Sequence, residues 1–161
     1  MILVRAVTYA TLFIGFVLVF VPARILATAG VHAPDEIGAA QAAGVVVTAS
    51  GAVVALSCVL TFAFVGKGTP APFDPPRRLV IRGPYRLVRN PMYLGAGISL
   101  AGAAIFFESW ILAGYALLFF IITHAFVRLY EEPTLRRTFG KDYEAYCSRV
   151  GRWLPRGIVG R

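Results

Sequence analysis

The sequence predicts an all-α membrane protein: four transmembrane helices, a cytoplasmic loop between the second and third, and a C-terminal amphipathic helix. Three observations predict it. Hydrophobic residues fill 58% of 161 positions and mean hydropathy is +0.71, whereas a soluble domain is about 45–50% apolar. The excess is gathered into four apolar runs. Sixteen Lys and Arg stand against eight Asp and Glu, and fourteen of those sixteen lie in only two segments. At this length a single integral membrane domain, residues 1–161, is expected.

The first span covers approximately residues 6–24. Val7 to Val21 is nearly all apolar and Pro22 ends the run. With its flanks it reaches about 20 residues, enough for a hydrocarbon core of roughly 30 Å. A cleaved signal peptide, with Ala27-Thr28-Ala29 as the cleavage site, is the rival. Only one positive charge, Arg5, precedes the run, which favours a span. The second span, 39–65, carries no charge. The third, 91–107, and the fourth, 110–128, are separated by Glu108 and Ser109, so they form a tight helical hairpin. Gly95, Ser99 and Ala103 recur on one face of the third, a small-residue stripe that lets helix backbones approach closely in lipid.

Residues 66–90 hold Pro70, Pro72, Pro75, Pro76 and Pro84, with Pro91 following. Proline lacks a backbone donor and fixes φ, so this segment is an ordered, extended loop. Pro91 suits the first residue of the third span, where free amides can hold a carboxylate. Tyr85 and Tyr93 offer aromatic faces and hydroxyls, and Gly83 and Gly95 allow close backbone approach. Those residues make a candidate small-molecule site at the membrane surface; a rigid connector remains the plain alternative.

In the tail, residues 129–161, Leu135, Phe139, Tyr143, Tyr146 and Val150 share one helical face. Arg136, Arg137, Lys141, Asp142, Glu144 and Arg149 occupy the other, and Gly140 interrupts the helix. Such a helix lies on the membrane or covers a cytoplasmic pocket, and Trp153 suits the interface.

Topology follows from charge. The segment between the first two spans carries Arg24, Asp35 and Glu36. The loop carries Lys67, Arg77, Arg78, Arg82, Arg86 and Arg89, and the end of the fourth span and the tail together carry eight more, from Arg128 onward. The positive-inside rule places both basic segments, and both termini, in the cytoplasm of an inner (cytoplasmic) membrane. Several of these arginines serve topology alone. The basic stretches are short and tied to membrane ends, which leaves no room for a nucleic-acid-binding fold. Cys58 and Cys147 belong at different depths, and His32 and His124 are far apart, so neither a disulfide nor a metal cluster is expected.

A second constellation closes the fourth span. His124, Arg128 and Glu132 are spaced i, i+4, i+8 and share a helix face, with Glu131 beside them. Ionisable groups at the edge of a membrane helix are costly and often functional. An Arg128–Glu132 pair that merely terminates the helix is the plain alternative.

Arg89-Asn90-Pro91-Met92-Tyr93-Leu94-Gly95, a hydrophobic hairpin and then Glu131-Glu132 together resemble the integral membrane methyltransferases, which include isoprenylcysteine carboxyl methyltransferase and the phospholipid N-methyltransferases. Their signature is an Arg-His-Pro-x-Tyr-x-Gly element with a later Glu-Glu pair. Phe139-Gly140-Lys-Asp-Tyr143-Glu-Ala-Tyr146 and Arg152-Trp-Leu-Pro155 are similar to their ending. The likeness covers roughly Leu79 to Pro155. It implies S-adenosylmethionine as cofactor, bound by Leu79, Val80, Gly83, Tyr85, Arg89, Asn90, Pro91, Tyr93, Gly95, His124, Glu131 and Glu132. It further implies catalytic roles for Arg128 and Glu132, and a lipophilic acceptor drawn from the bilayer. The family histidine is Asn90 here, which donates and accepts hydrogen bonds but carries no proton charge. A non-enzymatic membrane sensor or assembly module on the same fold is the second reading.

Overall fold

Prolines and glycines decide where these helices bend and where they touch. The computed structural model describes residues 14–61 and 79–156. Among them every regular element is helical, and the one β feature is an isolated parallel bridge between Val88 and Gly151. A π-helical stretch, Ile14–Phe20, runs directly into α1, Val21–Thr28. Next come α2, Ala39–Thr61, then α3, Pro91–Phe106, and α4, Trp110–Phe126. A π-helical turn, Val127–Glu131, leads into α5, Glu132–Phe139, and α6, Lys141–Arg149, closes the order.

Pro22 was expected to end the first apolar run, yet the helix continues to Thr28. Pro22 falls in the first turn of α1, where a missing N–H costs least. The same device recurs at Pro133, in the first turn of α5 after the Val127–Glu131 π turn. In both places a wider turn precedes the proline ring, which would otherwise press on the carbonyl four residues back.

Two helices are long and apolar enough to cross a bilayer, Ala39–Thr61 and the continuous Trp110–Phe139; Gly15–Thr28 and Pro91–Phe106 are apolar but shorter. The 16 residues of α3 rise about 24 Å, short of a core of roughly 30 Å. Residues 6–13 of the first expected span and 62–65 of the second lie outside the described residues. So do Lys67, Arg77 and Arg78, and most of the proline-rich loop. Val46 and Val53 of α2 are about two-thirds exposed, an outward apolar face that suits lipid and would be a liability in water.

α2 and α3 pack backbone to backbone. A Cβ built on Gly51 would lie 2.5 Å from the Gly95 carbonyl oxygen, and one on Gly95 would lie 2.7 Å from the Gly51 oxygen. Farther along, Gly44 meets Gly102 and Phe106 in the same way. Ser99 Oγ donates to the Thr48 carbonyl at 3.3 Å, and Thr48 Oγ1 to the Ser99 carbonyl at 3.4 Å. The expected stripe is therefore present with one correction. Gly102, not Ala103, continues Gly95 and Ser99, because about 3.6 residues per turn brings i+7 back to that face better than i+8. Ala103 instead packs near Leu26 and Leu112.

The α3–α4 turn is as tight as expected. Ser109 caps α4, its Oγ accepting from the Leu112 amide at 3.3 Å, and Glu108 takes a positive φ of 47°. The first helix lies across this hairpin. Val17 and Leu18 pack with Ala96, Leu100 and Phe119, and the Tyr115 hydroxyl donates to the Val17 carbonyl at 2.9 Å.

Candidate functional site

At the end of the bundle opposite the α3–α4 turn, the chain from Leu79 to Asn90 is wedged between α2 and the tail. Val80 and Tyr85 are buried against Cys58 of α2, and the Tyr85 hydroxyl shares a hydrogen bond with the Cys58 thiol. Gly83 has φ +57° and sits on the Thr61 side chain. Any Cβ there would meet both strain and contact. Leu79 and Ile81 turn the other way, into the tail cluster.

The amphipathic tail folds as two short helices. Gly140, with φ +50°, breaks the helix where the sequence indicated, and Leu135, Phe139, Tyr143, Tyr146 and Val150 still gather in one cluster. Its apolar face covers the loop. The Tyr146 hydroxyl donates to the Tyr85 carbonyl at 2.7 Å. The segment after α6 then runs beside the loop. Arg89 N–H donates to the Gly151 carbonyl at 2.8 Å, and Asn90 Nδ2 to the Arg152 carbonyl at 3.3 Å. Asn90 therefore spends its side chain on the tail and leaves the first amides of α3 without a side-chain cap.

The two glutamates have opposite environments. Glu132 is 2% exposed and is gripped by a fork of two bonds from Arg152, 2.7 Å to Oε1 and 2.8 Å to Oε2. Arg89 Nη1 adds a contact at 3.1 Å. Burial alone would push its carboxyl up, but the Arg152 hydrogen bond and the charges of Arg89 and Arg152 outweigh burial and hold it below its ordinary value. This clamp contributes stability above the unfolded carboxyl range, lost as pH falls through the depressed folded value. Glu131, past Arg128 and so beyond the apolar run, receives a hydrogen bond from the Tyr93 hydroxyl, while its Oε2 is buried with no partner among the described residues. Burial pushes its carboxyl up to about 7; the Tyr93 bond opposes that rise and the Glu132 charge adds to it.

Arg152→Ala leaves the buried Glu132 carboxylate with Arg89 alone, and removing one partner of a buried pair costs about 3 kcal/mol or more. The tail should then become cleavable by protease near Gly140 and thermal unfolding should shift down. Equal protease resistance in both proteins would refute the clamp.

His124 is held as well. The Trp153 indole N–H donates to His124 Nδ1 at 3.0 Å, and the Trp153 ring lies 5.0 Å from Phe120. The structure thus gathers Leu79, Val80, Gly83, Tyr85, Arg89, Asn90, Pro91, Tyr93, His124, Glu131 and Glu132 at one end of the bundle. Gly95 lies apart, spent on α2–α3 packing. Arg128 is exposed and forms no ion pair with Glu132, the partner its spacing suggested. Sequence reasoning assigned no site role to Arg152, Trp153, Cys58 or Phe120. The Arg152-Trp153 pair in the tail was the available signal.

A family model for phospholipid methyltransferase matches residues 39–142, from α2 into α6. Comparison with curated proteins gives no match, and comparison with solved structures gives none.

Proposed function

The chain belongs to the phospholipid methyltransferase family, and from that premise we propose that it moves a methyl group from S-adenosylmethionine to a lipophilic acceptor at the cytoplasmic face of a membrane. The proposed topology has four spans with both termini cytoplasmic. The orphaned Glu131 Oε2 carries this reading. Buried polar atoms are nearly always partnered, and a lone buried carboxylate oxygen calls for a cationic ligand.

The residues present fit the cofactor. Its amino-acid end bears an ammonium and a carboxylate, and among the described residues the two buried side-chain atoms without partners are an acceptor, Glu131 Oε2, and a donor, Arg89 Nε. They flank the Glu132 clamp. Tyr85 and Tyr93 bring aromatic surface beside them, and the tail from Tyr143 to Trp153 shields the loop from water. The sulfonium supplies an activated methyl: its S–CH3 bond breaks as the acceptor–CH3 bond forms, and a neutral thioether leaves.

The chain's own part is to bind, orient and exclude water. In this proposal Glu131 holds the cationic end, with the Tyr93 hydroxyl fixing its carboxylate. Glu132 acts by anchoring Arg89 and Arg152, a positioning role in place of direct contact. A carboxylate or thiolate acceptor needs no base. Arg128, exposed at the end of the apolar run, faces the acceptor head group.

Calorimetry tests the reading. Glu131 sits near 7 when alone and must be ionised to hold a cation. Binding below that value therefore expels a proton, and affinity falls by up to about tenfold per pH unit as pH drops below 7. Tight binding at about pH 8, weakening towards pH 5.5, is the expected result. Binding that is absent, or flat across that range, overturns the assignment.

A further inference from the structure

We propose that an open groove along the α3–α4 hairpin seats the hydrocarbon chain of the acceptor. The proposal rests on the methyltransferase reading above and names the part of the substrate that the groove takes. The cavity has a volume of about 760 Å³ and runs lengthwise between the two helices. Its floor includes Gly97 and Ala101, and Leu94, Leu117 and Phe120 wall it. A Cβ on Gly97 would meet only the Phe119 ring, at 3.9 Å, so the floor is recessed. Among the lining residues the polar side-chain groups are those of Glu108, Ser109 and the Trp110 indole N–H, all at the hairpin turn. No described residue of the first helix lines it.

Continuity with the site identifies the occupant. At its other end the groove is bounded by Leu94, one turn from Asn90, and by Phe120, whose ring touches Trp153. Trp153 is pinned by His124 and follows Arg152, which clamps Glu132. A chain lying in the groove therefore has its head beside the Asn90–Trp153 junction. From Leu94 to Ile105 the groove follows α3 for about 16 Å, a length that an extended chain fills. Arg128 is exposed farther along the same helix, one turn past His124. The ligand is thus an amphiphile with a long apolar chain and a polar head that carries a phosphate, such as a zwitterionic phospholipid. Seating a chain in a recess of small residues relies on close packing contacts, which carry association within lipid.

The chain has two tryptophans, Trp110 and Trp153, one at each end of the groove. In full-length protein carrying Trp110→Phe, Trp153 fluorescence is titrated with chain-brominated phosphatidylethanolamine in phosphatidylcholine micelles. Saturable quenching is expected, weakened by roughly tenfold or more in Gly97→Leu and in Ala101→Leu, while S-adenosylmethionine binding by calorimetry is retained. Two groove variants on different turns guard against a single misfolded protein, and circular dichroism checks their helicity. Quenching that rises linearly with bromolipid, or is equal in the filled variants, overturns the proposal. A wild-type dimer that becomes monomeric in both variants also overturns it, in favour of a second copy in the groove. Saturable quenching without any cofactor binding would instead sink the methyltransferase reading and leave the groove standing.

Discussion

Glu131→Gln is expected to weaken S-adenosylmethionine binding by at least about 30-fold while leaving the protein folded. Glutamine keeps the shape and the Tyr93 contact but removes the charge. Truncating one side of a buried charge pair costs about 2–5 kcal/mol, and the lower bound is roughly 30-fold in affinity. Stability should hold. Without ligand, the ionised Glu131 is buried beside the Glu132 carboxylate, and its raised value means that the folded state binds a proton more tightly than the unfolded one. Its stabilising effect is thus present at low pH and is lost as pH rises through about 7. Glu131→Gln should unfold no earlier than wild type at about pH 8. Glu132→Gln behaves in the opposite way: the Arg152 fork is lost, the unfolding midpoint falls, and affinity suffers through a loosened tail. Measured side by side, calorimetry and thermal unfolding separate the two glutamates. If Glu132→Gln alone abolished binding with an unchanged unfolding midpoint, the roles given to the pair would be reversed.

The second large effect lies in the helix pair beneath the site. In Gly95→Leu the new Cβ would stand 2.7 Å from the Gly51 carbonyl oxygen and 2.8 Å from the Ala55 amide nitrogen. Both are backbone atoms of α2 and neither can turn aside. Overpacking of this kind costs about 3 kcal/mol. Forcing α2 and α3 apart also moves Cys58 away from Tyr85. Loss of yield and a lowered unfolding midpoint in detergent are expected. Gly114→Ala is the control, since a Cβ there meets nothing within 4 Å, and helix propensity favours alanine. If the two variants unfold alike, the α2–α3 contact is not what holds this bundle together.

Local signals were legible and distant pairings were not. Pro91 and the Glu108–Ser109 turn mark the start of α3 and its junction with α4 in the sequence itself, and the structure has α3 over Pro91–Phe106 and starts α4 at Trp110, although that helix runs on past residue 128 to Phe139. The tail face from Leu135 to Val150 was readable for the same reason, because a repeat near 3.6 is written into the chain. The Arg128–Glu132 spacing pointed to a pair that does not form. Glu132 turns instead to Arg152, 20 positions on, and Trp153 reaches His124 across 29. No periodicity records such contacts. The π turn at Val127–Glu131 also shifts the helix register just where the two glutamates must be told apart, so an ideal helical wheel could not separate them. Asn90 is the reverse case. Its departure from the family histidine was plain in the sequence, and its use, a hydrogen bond to the Arg152 carbonyl, needed the tail in place.

In the proposed reaction a membrane lipid is methylated with the cofactor held at Glu131. Purified full-length protein, incubated with methyl-labelled S-adenosylmethionine and a total membrane lipid extract, tests it most directly. Label should enter the organic phase with wild type and fall to background with Glu131→Gln. A folded wild type that binds the cofactor yet labels no lipid, or a Glu131→Gln variant that labels lipid at the wild-type rate, would contradict it.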